Sequence, residues 1–287
     1  MYNIVMFAYN EERHIQTALA NVQANIDDRI QTVYLLANGC TDKTVERALA
    51  YKTAHDFTAL DVVELQLGDK CNAWNHYVHI IQANAECHFF IDSDVVFSDK
   101  CFPILYDELL SAKHAPNIIA GYPLSGRNLD FYTMLVEQRS CFYGNLYGAS
   151  ARYIDMVRDV PFYLPIGLNW IDSFLTKAAN TDIQFLADNL PNRVIYKKGV
   201  GFKFESLSPF KLADIKLYKN RIARYELGKI QELYLDDLAV RDWPRHMKDI
   251  NADIWRHFEE RTAHLGFIKK KLVKQRLSRL VIKESHP

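Results

Sequence analysis

The chain contains no C-x-x-C spacing, and its five cysteines (Cys40, Cys71, Cys87, Cys101 and Cys141) form an odd set. That excludes a disulfide framework and a zinc-binding cysteine cluster, and leaves thiols that read as small core residues in a reducing cytoplasm. Internal repeats, low-complexity stretches and Gly/Ser linkers are also missing. No uncharged apolar stretch approaches the roughly 18 residues that a membrane span needs. The nearest by composition, Val160 to Ile171, is interrupted by two prolines. A strand-like run, Tyr2 to Phe7, begins almost at once, where a signal peptide would show a charged segment followed by an apolar one. The expectation is a cytoplasmic protein, soluble or peripheral at the inner face of a membrane. Net charge is lacking as well: 35 basic residues balance 35 acidic ones, which argues against a general nucleic-acid binder.

What is present is apolar surface. Of the 287 residues, 49% are hydrophobic and 13% aromatic, enough for a sizeable core and too much for a disordered chain. The length suits one large α/β domain with an appendage, or two small domains. The balanced charge is uneven, because Lys269, Lys270, Lys271, Lys274, Arg276, Arg279 and Lys283 crowd the last twenty residues.

Strand and helix patterns alternate over the first hundred and twenty residues. Tyr2 to Phe7, Val33 to Leu36, Val62 to Leu67 and Cys87 to Ile91 read as strands. Between them Ile15, Leu19, Val22 and Ile26 recur at helical spacing, Thr41 is placed to cap a second helix, and Trp74, Tyr77, Val78 and Ile81 mark a third. Repeated βα units imply a parallel sheet covered on both faces, with ligands bound beyond the carboxyl ends of its strands. Polar clusters fall at those ends: Tyr9, Asn10 and Glu11; Asn38, Gly39 and Asp42; Gly68, Asp69 and Lys70; and Asp92 and Asp94. The pattern loosens from about residue 120 to 205. A helix-like piece runs from Asn169 to Ala179, and Ile215 to Ile230 and Leu233 onward read as further helices. The domain reading is a first domain, 1–205, with a regular part, 1–125, and a looser part, 126–205, followed by a helical extension, 206–287.

Phe89-Phe90-Ile91-Asp92-Ser93-Asp94 ends an apolar strand in two acids separated by one serine. Strand alternation places Asp92 and Asp94 on one face with Cα atoms about 7 Å apart, so both can approach one hard divalent cation, Mn2+ or Mg2+.

Four segments in order carry a family resemblance. Ala8-Tyr9-Asn10-Glu11 resembles the opening Pro-x-Tyr-Asn-Glu of the family 2 glycosyltransferases, and Asn38-Gly39-Cys40-Thr41-Asp42-Lys43-Thr44 is similar to their acidic Gly-Ser-Thr-Asp-x-Thr loop. Gly68 to Asn75 resembles their Gly-Lys-x-x-Ala-x-Asn segment, and Asp92-Ser93-Asp94 their DxD motif. The resemblance covers the first hundred residues, and it implies that residues 1–125 bind the nucleotide and residues 126–205 the acceptor. It implies the GT-A fold, a Rossmann-like, mainly parallel mixed sheet with helices on both faces, plus here a helical C-terminal extension. It also implies a sugar nucleotide held by Ala8, Tyr9, Asn10, Glu11, Asn38, Lys70, Asp92 and Ser93, with Asp94 as the direct metal ligand and Asp92 beside it. Many relatives carry Asp where this chain has Asn38, whose amide can still accept from an imide N–H; uridine is favoured as the base over guanosine or thymidine.

By the same resemblance the base for an inverting transfer is Asp172, in Gly167 to Leu175, with Ile171 where relatives often carry a first acid. Trp170 adjoins it. Asn220 to Gly228 is similar to the Gln-x-x-Arg-Trp segment of processive members, with Asn for Gln and Tyr for Trp. That places Arg221, Arg224 and Tyr225 as acceptor or phosphate contacts. The substitutions favour transfer of a single sugar to a hydroxyl on a glycan, glycolipid or cell-envelope precursor. Leu272, Val273, Leu277, Leu280 and Val281 form an apolar stripe flanked by bases, suited to an anionic membrane surface or to packing on the domain or a homodimer partner. Two alternatives stand beside this reading. A sugar nucleotidyltransferase wants a glycine-rich loop after the first strand, and Ala8 to Glu12 contains no glycine; a non-catalytic sugar-nucleotide-binding protein would not require Asp172.

Overall fold

The computed structural model describes residues 1–204 and 212–285. They form two compact units, Met1–Pro161 with Leu175–Glu205, and Phe162–Phe174 with Ser206–Pro287. Residues 162–174, assigned from sequence to the first domain, therefore cluster with the C-terminal helices.

The first unit opens with β1 (Tyr2–Ala8), α1 (Ile15–Ala24), β2 (Ile30–Asn38), α2 (Thr44–Ala54), β3 (Leu60–Leu65), α3 (Lys70–Asn75) and β4 (Cys87–Asp92). A π-helical turn, His76–Ile81, extends α3. There follow β5 (Val96–Phe97), α4 (Cys101–Ser111), β6 (Ile118–Pro123), α5 (Leu129–Arg139), β7 (Leu146–Ser150), α6 (Ala151–Asp159), α7 (Ile171–Asn180) and β8 (Val194–Lys203). The boundary between the units falls inside α7, after Phe174. The strands form one eight-stranded sheet in the order β3-β2-β1-β4-β7-β6-β8-β5. The first four run parallel, and β7 lies antiparallel between β4 and β6, so the sheet is mixed.

Every residue of β1 is buried, as expected of a central parallel strand covered on both faces. On one face Ile15, Leu19 and Val22 of α1 and Phe102 and Leu105 of α4 pack against Ile4, Met6 and Phe89. Near the carboxyl ends Phe7, Phe90 and Tyr147 stack in series at centroid distances of 6.3 and 5.0 Å, and Trp74 donates Nε1–H to the Tyr147 hydroxyl at 3.1 Å.

The loosened pattern after residue 120 hides real strands. A Cβ on Gly121 would lie 2.6 Å from Leu146 Cγ, and one on Gly148 2.7 Å from Phe89 Cε1. These glycines make room for large neighbours, so β6 and β7 lack an unbroken β-branched run. Among the five cysteines, Cys71, Cys87 and Cys101 are core residues as expected, whereas Cys40 and Cys141 are half-buried.

An acid between β6 and β8 ties this unit together. Arg193 grips Asp182 in a fork, Nε–H to Oδ1 at 2.8 Å and an Nη2–H to Oδ2 at 2.6 Å, while Asn117 donates to Oδ1 at 2.7 Å. Burial alone would raise the Asp182 pKa, but these hydrogen bonds and the Arg193 charge outweigh it and hold the carboxyl below its usual range. Its contribution to stability is therefore full above the ordinary carboxylate pKa and fades as pH falls through the lowered value. Urea midpoints measured from about pH 5 down to pH 2 should fall less steeply in Asp182→Asn than in the native protein; parallel slopes would remove Asp182 from the acid response.

The second unit contains α8 (Leu212–Asp236), a 3-10 turn (Val240–Asp242), α9 (Lys248–Arg256), α10 (Phe258–Arg261) and α11 (Phe267–Ser285). The interruption expected between Ile230 and Leu233 is absent, because α8 runs straight through it. Leu227, Ile230, Ile254, Phe258, Val273 and Leu277 make its core, with Leu280 and Val281 packed against them. Val273, Leu277, Leu280 and Val281 of the basic tail's apolar stripe thus pack with residues of α8, α9 and α10. Trp243 packs against Phe162 and edge-on against Phe174, both at 5.7 Å. Backbone bonds join Ile166 to Arg245 and Met247. No helix among the described residues is long and apolar enough to cross a membrane.

Candidate functional site

Strand register brings the first set of candidate residues together. Ala8 pairs with Ala37, Asn38 with Leu65, and Phe7 with Asp92, so β1, β2, β3 and β4 end level at one sheet edge. The loops that leave them are laced to one another. Asn10, in the left-handed region at φ 55°, accepts from Thr41 N–H at 2.8 Å through its side-chain oxygen. Glu11 N–H donates to Thr44 Oγ1 at 2.8 Å and Glu12 N–H to Asp42 Oδ2 at 3.0 Å. Asp42 also accepts from Thr44 N–H at 3.0 Å, which corrects the sequence reading of Thr41 as the cap: α2 starts at Thr44, and Asp42 satisfies its first amide.

Two glycines shape the cleft between β2 and β3. Gly39 sits at φ +68°, and a Cβ there would come within 2.5 Å of Gly68 Cα, so the two loop backbones touch. A Cβ on Gly68 would meet the Tyr9 ring at 3.3 Å. Tyr9 is 60% exposed, so an aromatic face stands open beside two bare backbones. Asn38 is buried, and its Oδ1 accepts Asp69 N–H at 3.0 Å. This bond fixes the amide orientation and occupies part of the acceptor capacity that an imide would use. Asp69 in turn caps α3, accepting from Asn72 N–H at 3.0 Å.

The acidic pair departs from the sequence expectation in one respect. β4 ends at Asp92, and Ser93 and Asp94 form a turn, so strand alternation does not place the two carboxylates. Ser93 is buried and Asp94 exposed. Lys70 Nζ lies 2.5 Å from Asp92 Oδ1 and 5.2 Å from the Phe7 ring centroid. Glu11 is drawn into the same charge cluster. Burial chiefly raises its carboxyl pKa, a hydrogen bond with His14 opposes that, and the negative charge of Asp94 raises it further.

Among the described residues no three His, Cys, Asp or Glu side chains converge into a metal cage. The donors present fit another kind of site: Mg2+ and Mn2+ favour oxygen ligands, and Mg2+ in particular is commonly held by one or two carboxylates together with substrate phosphates and water. A cation held there would offset the Asp94 charge that helps to raise the Glu11 carboxyl.

The remaining candidates lie in the second unit. Asp172 stands in the first turn of α7, and Trp170, just before it, has φ +58°. The Trp170 ring is 5.7 Å from that of Tyr225 and 5.7 Å from Lys229 Nζ. Arg221 and Arg224 are exposed on α8. Gly228 carries the close contact here, since a Cβ would meet Trp170 Cβ at 2.6 Å and Asn169 O at 2.9 Å. Sequence patterns give no sign of the Gly39–Gly68 and Gly228–Trp170 contacts, because each joins residues distant along the chain.

Three comparisons bear on identity. The family model described as Glycosyl transferase family 2 matches residues 3–145, which hold the whole laced edge. No curated protein matches significantly. Among solved structures, a mannosyltransferase from Pyrobaculum calidifontis in complex with GDP-Man and Mn2+ is similar at 17% identity with a TM-score of 0.63, over 99% of this chain and 74% of that one. TarS residues 1–349 from S. aureus in complex with UDP-GlcNAc matches at 15% identity and 0.55, over 98% and 83%. Glucosyl-3-phosphoglycerate synthase from Mycobacterium tuberculosis with Mn2+ and UDP-Glc matches at 17% and 0.52, over 79% and 78%. The mixed sheet is accordingly of GT-A type, and through the domain containing residues 3–145 the chain belongs to the family 2 glycosyltransferases.

Proposed function

We propose that the chain is a metal-dependent inverting enzyme that moves one sugar from a nucleoside diphosphate sugar to a hydroxyl acceptor on a glycan, glycolipid or cell-envelope precursor. The observation that carries this reading is the convergence of the Tyr9–Gly39–Gly68 cleft with the Asp92–Asp94 turn at one level sheet edge. An exposed aromatic ring over two side-chain-free backbones suits a flat base, and Asn38 lies buried beside it. UDP-sugars are favoured, with GDP- and dTDP-sugars as the alternatives; solved relatives were captured with both UDP- and GDP-sugars.

Asp94, with Asp92 beside it, would hold Mn2+ or Mg2+, which when bound supplies positive charge where the diphosphate leaves. Lys70 adds a fixed cation at the same point, held by Asp92. On the acceptor side Asp172 takes the proton from the attacking hydroxyl. As the new C–O bond forms, the bond to the diphosphate breaks and its electron pair departs with the nucleotide.

A melting-temperature screen of sugar nucleotides and nucleoside diphosphates at fixed Mn2+ tests the donor assignment. One nucleotide series should raise the melting temperature, since a ligand that binds only the folded state stabilises it by mass action. No response to any nucleotide would defeat the reading.

A further inference from the structure

The second unit contains a buried chain of amides tied at one end to the C-terminal helix. Arg276 of α11 donates Nε–H to Asn169 Oδ1 at 2.6 Å. Asn169 donates from its backbone and its Nδ2 to Gln231 Oε1, at 2.8 and 3.1 Å, and from Nδ2 to Gly167 O at 3.2 Å. Gln231 Nε2 passes the direction on to Asn251 Oδ1 at 2.8 Å. Asn169, Gln231 and Asn251 are all at least 97% buried. A guanidinium only donates, so it forces the Asn169 carbonyl toward itself and the amide hydrogens toward Gln231. The backbone sets the same orientation at Gln231, whose Oε1 accepts the Asn169 N–H and whose Nε2 donates to Gly167 O at 3.3 Å, so Arg276 completes the chain of bonds at Asn169.

This chain of bonds grips a strained piece of backbone. Trp170 holds φ +58°, a conformation that a bulky residue keeps only where its surroundings impose it, and Gly228 leaves no space for it to slide. Asp172 follows two residues later, as α7 begins.

We propose that Arg276 is a positioning residue for acceptor activation: through Asn169 it fixes the turn that aims Asp172, which makes the C-terminal helix part of the catalytic apparatus. The inference rests on the reading of Asp172 as the base.

The test compares Arg276→Met and Arg276→Lys with the native protein. Hydrogen–deuterium exchange of residues 168–173 should quicken in Arg276→Met and return toward native in Arg276→Lys, whose amine can still donate to Asn169. Exchange over residues 87–97 should stay unchanged in both. With UDP-glucose or GDP-mannose and Mn2+, nucleoside diphosphate release by Arg276→Met should fall by about 100-fold in kcat, the scale of an approximately 1 Å misplacement, at an unchanged donor KM. Lysine should recover most of it. In an Asp172→Asn background, Arg276→Met should cost little more, because residues that act as one unit are not additive. Unaltered exchange at 168–173, unaltered kcat, or fully additive losses would each overturn the proposal. Native turnover in Asp172→Asn alone would instead remove the base assignment, and is read separately.

Discussion

Asp172→Asn is expected to lower sugar transfer by about 100- to 10,000-fold, the usual range for losing a general base, while affinity for the nucleotide donor stays native. The substitution keeps the size, removes the charge and basicity, and exchanges one acceptor oxygen for an NH2 donor. Asp172 is in the first turn of α7, where a carboxylate is also favoured by the helix dipole. A residue serving only the dipole would cost about 0.3 to 1 kcal/mol of stability and no turnover, so the two roles separate cleanly. Nucleoside diphosphate release, read beside the melting temperature with bound UDP or GDP, distinguishes them. Full activity with a slightly lower melting temperature would show a structural acid.

Asp94→Ala is the second large effect. Asp94 is exposed in the turn after β4, and its charge reaches Glu11, so removing it should relieve the Glu11 carboxyl and bring its pKa back toward the ordinary range. Turnover should drop by roughly 1,000-fold, the equivalent of several kcal/mol of stabilisation at the departing diphosphate. The gain in nucleotide affinity on adding Mn2+ should vanish too. Asp92 is the contrasting position. Its carboxylate holds Lys70, so Asp92→Ala should weaken nucleotide binding even in EDTA, through a displaced lysine. Metal-dependent binding that survived in Asp94→Ala would assign the cation to other ligands.

Much of the first unit's parallel half was legible because central parallel strands are buried on both faces and stand out as apolar runs. The observed β1, β2 and β4 bracket the segments read from Tyr2, Val33 and Cys87. The polar clusters beyond them were visible for the same reason, since only strand ends leave the core. What sequence misjudged was local geometry at those ends. β4 stops at Asp92, so a period-two argument could not place Asp94, and Asp42 rather than Thr41 accepts the first amide of α2. In the middle of the chain, Gly121 and Gly148 give their space to Leu146 and Phe89, which erased the pattern of β6 and β7. The second unit was hidden by distance: nothing in the spacing around Asn169 points to Gln231 or Arg276, and Arg276 is one base among many in the tail.

On the proposed function, the level ends of β1 to β4 bind a nucleoside diphosphate together with a divalent cation. Calorimetric titration of the native protein with UDP and with GDP, in Mn2+ and in EDTA, tests it directly. Binding of one of the two should be at least about tenfold tighter in Mn2+, a difference of about 1.4 kcal/mol. Equal affinity in Mn2+ and EDTA, or binding of neither nucleotide, would contradict it.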